Sequence, residues 1–598
     1  MSAANGDMLP DSPDGHGVWL ADMRRLSEYR LRINGEESKA LEVKVEAGSI
    51  LMTAEAAGLR VDRHRYVEDG LRERITITNP GRAPVDAELT LTSAADGVDM
   101  MALRGFAPVS ATPPEVNVAR HQVSLRPGDR FTLQEPDFDA GLARFRDSYR
   151  RWANDCARIE TDNLALNELL ERSRDDLRML MDFYPTGIYP SAGIPWYAVP
   201  FGRDGLFVAL FTLWFNPDLA RGTLRYLAAH QGVTVDPAGE QQPGKILHEV
   251  RTGSAVDQGL WPQIFYGDVD GAALFIWLLA ETFAWTGDDE LRTELSGAAR
   301  SALEWCDRYG DSDGDGYVDC YPGRSRNQAW KDSEDSLTHA DGTDAGGNAA
   351  LCEVQGYLYR ALVSMVEPAR AADLKRRFNR DYKIPGVGYI AQALDRNKRR
   401  VEAISSNPGH CLWAGILTAR NARSVAERLV SPEMFTGWGV RDLSSRAINY
   451  DPRNGSNGCI IPFDNAIVVA GLRRAGFAVE AELVARSVLE AGMAFPHRRL
   501  PEYFCGFDRV EGSPPEEHPM SCSPQAWSAA AAFSLVASLL GLEADARRGR
   551  LRISPLATAL WNRVEVSGLH FAGHRIDFVV EGAKVRLGAV PKGVTIQT

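Results

Sequence analysis

The chain has 598 residues, 44% apolar and 25% charged, with 67 basic against 80 acidic side chains and a net charge of −13. That length exceeds one ordinary core and calls for at least two packed units, although a large barrel can absorb several hundred residues as one. The acidic balance argues against nucleic acid or an anionic membrane as a partner.

The opening residues, MSAANGDMLPDSPDG, are polar and acidic. They lack the basic-then-apolar pattern of a signal peptide, so no export is expected. From Leu31 to about Gln134 short alternating runs such as LEVKVEAGSILMTAEA, ERITITNPG and HQVSLRPGDRFTLQ are separated by Gly, Pro and Asn. They predict an N-terminal antiparallel β-sandwich over residues 1–140.

After residue 141 the period changes to three and four, which predicts helices. Four segments are apolar on nearly every side: GLFVALFTLWF (205–215), GAALFIWLLAETFAW (271–285), NAIVVAGL (465–472) and the alanine-rich run after Ser523. Amphipathic helices such as DLARGTLRYLAAHQG and AVEAELVARSVLEAG lie between them. Alternation of the two kinds predicts two concentric layers of paired helices, an (α/α) toroid over 141–545, because an all-round apolar helix must sit inside. A short C-terminal β segment, 546–598, returns to alternation, which makes the whole a multidomain α+β chain.

The run CSPQAWSAAAAFSLVASLLGL (522–542) is long enough to raise the membrane question. Its serines, its alanines and a helix start at Ser523–Pro524 favour a buried helix instead. Eight cysteines are scattered without CxxC pairs or ligand spacing, which reads as reduced thiols in the cytoplasm. Nothing in the text chooses an oligomeric state. Neither a nucleotide loop nor a lysine in a pyridoxal-type context appears, so no cofactor is expected.

Four loops combine carboxylates, arginine and aromatics: GIPWYAVPFGRDGLF (193–207), HEVRTGSAVDQGLWPQIFYGDVDG (248–271), GYVDCYPGRSRNQAWKDSEDS (316–336) and RLPEYFCGFDRVEGSPPEEHPMSCSPQAW (499–527). That mixture suits sugars, since aromatic faces stack on pyranose rings while charged groups take the hydroxyls in bidentate pairs. Trp196, Arg251, Trp261, Asp270, Trp330, Lys331 and Glu334 are candidates on these loops. His248 and Glu249 remain open, and Asp270 has a plain alternative as a helix cap. DSDGDGYVD (311–319) has loop spacing for calcium, but position twelve is Pro322 rather than glutamate. A turn is the expected use and no metal is assigned.

HGVWLADMRRLSEYRLRING, PWYAVPFGRDGLF, GKILHEVR, NQAWKDSEDS, EVQGYLY, SNPGHCLWAGI, RLPEYFCGF and CSPQAWS resemble, in the same order, bacterial amylo-α-1,6-glucosidase-like proteins, the glucosidase half of glycogen debranching enzymes. The resemblance implies a β-sandwich followed by an (α/α)6 barrel and inverting, exo-acting hydrolysis of an α-glucosidic bond, with an oligosaccharide or small glycoside as substrate. It makes Asp332 the general acid and Glu502 the general base. It gives Arg203 and Asp204 the far hydroxyls of the terminal glucose, with Trp196 as a wall.

The acid must hold a proton near neutrality, and partial desolvation beside Trp330 would arrange this. Lys331 would oppose it unless Glu334 or Asp335 neutralises the ammonium. Arg203 and Asp204 have a structural alternative as an ion pair with a helix N-cap, and Glu502 as a surface residue after HRRL. Relatives resemble KDSWDS where this chain has Glu334, and YHNGSVWPHDN where it reads GSNGCIIPFDN, so that Ser456, Ile461 and Phe463 depart. The sugar pocket and aglycone side are thereby open: a glycosidase acting on another α-glycoside or a glucosylated metabolite, and a non-catalytic glycan binder, stand beside the debranching reading.

Overall fold

The alternation of the N-terminal region becomes two antiparallel sheets. One has the strand order Glu115–Leu125, Val85–Ala95, Glu28–Ile33, Glu36–Glu37. The other runs Arg130–Gln134, Leu71–Thr78, Leu59–Val67, Ser49–Ala56, Lys39–Glu46. Register sets which residues go inside: Val61 lies opposite Ala54 on one side and Ile77 on the other, and all three are buried. A slip of one residue would turn that row to the opposite face. Leu31, Ile33 and Leu89 of the first sheet share one core with Ala54, Leu59, Val61, Ile75 and Ile77 of the second.

This computed structural model describes residues 1–12, 15–68, 70–106, 108 and 114–598. The chain forms two compact units: Met1–Asn154 with Arg251–Gln263, and Asp155–Val250 with Ile264–Thr598.

The second unit is rich in helices, twelve of which carry its packing: α1 (Leu164–Leu180), α2 (Gly202–Thr212), α3 (Asp218–Ala229), α4 (Gly271–Thr286), α5 (Ser296–Trp305), α6 (Cys352–Ser364), α7 (Pro368–Asp381), α8 (Pro408–Ala414), α9 (Ala419–Leu429), α10 (Pro462–Arg474), α11 (Ala478–Ala494) and α12 (Ala526–Leu540). The even-numbered helices are the apolar ones, buried over nearly their whole circumference. Each packs on the next, α2 on α4, α4 on α6, α6 on α8, α8 on α10, α10 on α12, and α12 returns to α2. The odd-numbered helices back them as pairs: α3 on α2, α5 on α4, α7 on α6, α9 on α8, α11 on α10 and α1 on α12. One-sided apolar stripes suit these outer positions.

The helix boundaries follow the apolar runs closely, with α2 starting and ending earlier than the run 205–215. Ser523 and Pro524 stand before α12 rather than in it: Gln525 is the N-cap residue. The helix ends on Gly541, whose φ of +62° lies in the left-handed region that glycine enters without a Cβ penalty. Among the described residues no helix is long and apolar enough to cross a membrane.

The last strands belong to the second unit. Arg563–Phe571, His574–Glu581 and Lys584–Leu587 form a sheet with Arg158–Thr161. Upstream of α2, a small sheet of Met181–Tyr184, Gly187–Gly193 and Tyr197–Pro200 delivers the first of the candidate loops.

Gly222 on α3 lies against that small sheet, where an added Cβ would meet the Ile188 carbonyl oxygen at 2.0 Å. Backbone cannot yield as a flexible side chain does, so Gly222→Ala should destabilise the protein by about 1–3 kcal/mol. A lower urea midpoint with an unchanged slope is the expected reading.

Candidate active site

α2 places a buried cation where the candidate loops converge. Phe201 occupies its N-cap position without a side-chain capping bond, and Arg203 and Asp204 follow in the first turn. The two do not pair with each other as a cap. Arg203, 3% exposed, donates from Nε to Asp270 Oδ2 at 2.7 Å, and its guanidinium lies 3.7 Å from Asp268 Oδ2 and 3.8 Å from Asp332 Oδ2. Burial works against its charge, but Asp270, Asp268 and Asp332 outweigh that penalty and hold it firmly protonated.

Asp270 stands at the N-cap position of α4 but makes no capping hydrogen bond. Its carboxylate faces Arg203 instead, and the simple cap reading does not describe it. Burial pushes the Asp270 carboxyl up to about 7 against the pull of Arg203. Burial likewise pushes Asp204 up to about 7, again against Arg203, and Gln525 Nε2 donates to its Oδ1 at 3.1 Å. His248 Nδ1 lies 3.3 Å from Asp268 Oδ2. Burial opposes its charge, yet the Asp268 carboxylate wins and raises the imidazole.

The segment NQAWKDSEDS splits by residue. Trp330 is 5% exposed and stacks on His410, with ring centroids 5.4 Å apart and planes at 6°. Phe463 meets Trp330 edge-on and stacks on Trp527 at 4.0 Å, so three of the candidate segments contribute to one aromatic wall. Lys331 turns inward, 1% exposed, and its Nζ lies 3.3 Å from Asp442 Oδ2. Asp442 is the partner of Lys331, in place of the expected Glu334 or Asp335. Glu334 is exposed, and Asp335 accepts instead from Asn454 and Asn457 at 2.9 Å each.

Asp332 turns the other way. Its side chain is 51% exposed, so the protein alone does not desolvate it as the position beside Trp330 led one to expect. Trp330 faces His410 and Phe463, and any further desolvation of the acid has to come from what binds over it.

Glu502 is buried, 8% exposed, and is not a surface residue after HRRL. Its Oε2 accepts from the Cys522 amide at 3.0 Å while its own amide donates to the Cys522 carbonyl at 2.8 Å. Cys522 begins the segment that also supplies Gln525. Arg203 thus meets Asp332, Asp204 meets Gln525, and Glu502 meets Cys522 three positions before Gln525. Trp196 on the first loop is 8% exposed. Among the described residues the Nε1 donors of Trp196, Trp330 and Trp527 are buried and meet no protein acceptor.

Arg251 and Trp261 belong to the first unit. Arg251 Nη1 donates to Asp22 Oδ1 at 2.8 Å, and the Trp261 ring lies 6.1 Å from that of Phe106. In the 311–319 loop Asp311, Asp313, Asp315 and Asp319 gather their carboxylates within 4.8 Å of one another. The cation among them is Lys398, whose Nζ lies 2.6 Å from Asp313, 2.6 Å from Asp315 and 3.5 Å from Asp319. All eight cysteines are free and buried.

Sequence reading passed over Asp268, Gln525, His410, Asp464 and Asp442. His410 and Gln525 sit inside motifs already singled out, SNPGHCLW and SPQAW, and Asp268 is two positions before Asp270. His410 holds Asp464 Oδ1 through Nε2 at 2.8 Å. Nothing in RDLSS marks Asp442.

The fold is similar, at low identity, to several solved structures: a sialidase matches with a TM-score of 0.54 and 12% identity over 94% of this chain and 57% of its own. The GH78 family rhamnosidase of Bacillus sp. GL1 matches with 0.51 and 14% over 89% and 54%, and a protein assigned as a kojibiose phosphorylase, from the human microbiome, with 0.55 and 9% over 94% and 85%. The chain thus spans little more than half the length of the first two. Residues 1–143 match the family described as the N-terminal domain of (some) glycogen debranching enzymes. No curated protein matches the sequence.

The burial of Asp204 has a consequence for stability. Its carboxyl is raised to about 7 in the folded state from an ordinary 3.8. Between those values the native state holds a proton that the unfolded state has lost, so this group's contribution to stability falls as pH rises from about 4 to about 7 and is level above. Asp204→Asn should flatten that part of the melting temperature against pH curve relative to wild type. An unchanged curve would show that Asp204 titrates normally.

Proposed function

We propose that the protein is an exo-acting, inverting α-glycoside hydrolase that releases a terminal glucose, with α-1,6-linked, debranching-type oligosaccharides as first substrates. In this reading the ring of six inner helices is an (α/α)6 toroid, Asp332 is the general acid and Glu502 the general base. The observation that carries it is the contrast within the Arg203 cluster: Asp204, Asp268 and Asp270 are at most 5% exposed, whereas the Asp332 side chain is 51% exposed. The cluster thus offers Asp332 to an incoming substrate and keeps Asp268 and Asp270 to hold the cation.

The chemistry follows. A sugar bound over Asp332 excludes water from it and favours the protonated form, offsetting the nearby guanidinium. The carboxyl then gives its proton to the glycosidic oxygen, while Glu502 takes a proton from a water attacking the opposite face of the ring. Inversion requires a separation of roughly 6.5–9.5 Å between the two carboxyls, enough for that water. Arg203 and Asp204 take hydroxyls of the terminal glucose, and the protonated glycosidic oxygen leaves with the aglycone.

A second reading keeps the reaction and changes the acceptor to another α-glycoside or a glucosylated small metabolite. It starts from Phe463, one of the departures from the debranching pattern, which is fully buried and stacks on Trp527 behind the site.

NMR-monitored hydrolysis of isomaltose, panose, maltose and a limit dextrin tests both. Wild type should release β-glucose first from an α-1,6 substrate, and Asp332→Asn and Glu502→Gln should each lower kcat by about 10²–10⁴-fold. Retained sugar affinity in Glu502→Gln would accompany this. Release of α-glucose first would overturn inversion. No turnover of any member, with sugar still bound, would favour the glycan binder.

A further inference from the structure

The acid's neighbour in sequence is a buried lysine, and the reaction proposed above makes no use of it. Lys331 is 1% exposed and its Nζ lies 5.8 Å from the Trp330 ring centroid. An ammonium so placed is costly unless a carboxylate meets it. Asp442, wholly buried, does so at 3.3 Å, and its backbone oxygen lies 3.4 Å from the same Nζ. Asp442 is itself fixed: its amide donates to the Cys459 carbonyl at 3.0 Å and its carbonyl accepts from the Ser406 amide at 3.2 Å.

Resting on the assignment of Asp332 as general acid, we infer that Asp442 is a positioning residue: it cancels the charge of Lys331 and pins that side chain inward, leaving Asp332 on the open side of the loop and able to hold its proton. The argument is electrostatic as well as geometric. Two cations flank Asp332, Arg203 through space and Lys331 along the chain, and each favours the ionised acid. Arg203 is met by Asp270 and Asp268. Without Asp442, Lys331 would be met by nothing comparable, since Glu334 is exposed and Asp335 is engaged with Asn454 and Asn457.

Other charges face the pair. Asp464, held by His410, acts on Asp442 and raises its carboxyl, though less than burial does, and Lys331 pulls it down. Asp204 and Arg203 act on the Asp332 side. Replacing Asp442 therefore alters one compensation while leaving the Arg203 set in place.

The test is a double-mutant cycle of Asp442→Asn and Lys331→Met on the pH profile of kcat. Asp442→Asn should move the basic limb down by about one pH unit, and Lys331→Met in the same chain should return it. A folded Asp442→Asn protein with its limb in place would overturn the proposal, because lost packing alone lowers kcat at every pH. The same cycle is read without turnover by carbon NMR of labelled aspartate, with the Asp332 resonance assigned by Asp332→Asn. A midpoint lowered in Asp442→Asn and restored in the double variant supports the coupling even if no glycoside is hydrolysed, and that second result would count against the function alone. If Asp442→Asn fails to fold, Lys331→Met/Asp442→Leu, which removes both charges, carries the comparison: its Asp332 midpoint should match wild type, and a departure of a full unit would overturn the inference.

Discussion

The arrangement of the site depends on a guanidinium that water does not reach. Arg203 is 3% exposed, and a cation at that depth must be surrounded by carboxylates or the fold loses several kcal/mol. Asp270 comes from the start of α4, Asp268 from the loop before it and Asp332 from a third loop. Each carboxylate is costly to bury by itself, and the raised Asp204 and Asp270 show how strongly burial competes with the nearby positive charge. Cation and anions are thus mutually necessary, and the compensation fixes which loops approach one another.

The packing beneath explains why so few contacts suffice. Because α12 returns to α2, each apolar helix has a neighbour on either flank and an outer helix behind it. Loops at the ends of such helices inherit fixed positions, so residues as far apart in sequence as Asp204 and Gln525 meet at 3.1 Å. Two hydrogen bonds, from the Glu502 amide to the Cys522 carbonyl and from the Cys522 amide to the Glu502 carboxylate, then hold the candidate base beside the segment that leads into α12. Position comes from the helices and polarity from the loops.

What was legible in the sequence follows the same division. Period-two and period-three-to-four runs gave the strands and the apolar helices, because burial imposes a regular spacing on them. Motif likeness drew attention to Arg203, Asp204, Asp332 and Glu502; Arg203 meets Asp332, and Asp204 and Glu502 each meet the segment 522–525. The partner of Lys331 was not legible: a buried ion pair closed by tertiary contact has no local spacing, and Asp442 lies in a segment with no apolar rhythm or turn signal. Glu334 and Asp335 were nearer in sequence, but solvent and two asparagines take them. Arg251 and Trp261, promising by composition alone, are engaged within the first unit by Asp22 and Phe106.

The two cations beside Asp332 are compensated to different effect. Arg203 is met by the buried Asp268 and Asp270 and reaches the half-exposed Asp332 directly. Lys331 is met on the far side of its loop by Asp442, within the wall formed by Trp330 and His410. A carboxyl that must be protonated before reaction and ionised after it cannot tolerate two naked cations, nor can it lose both, since the conjugate base formed on proton transfer needs one. In the proposed reaction, the guanidinium 3.8 Å from Asp332 and the lysine paired with Asp442 would answer both demands at once.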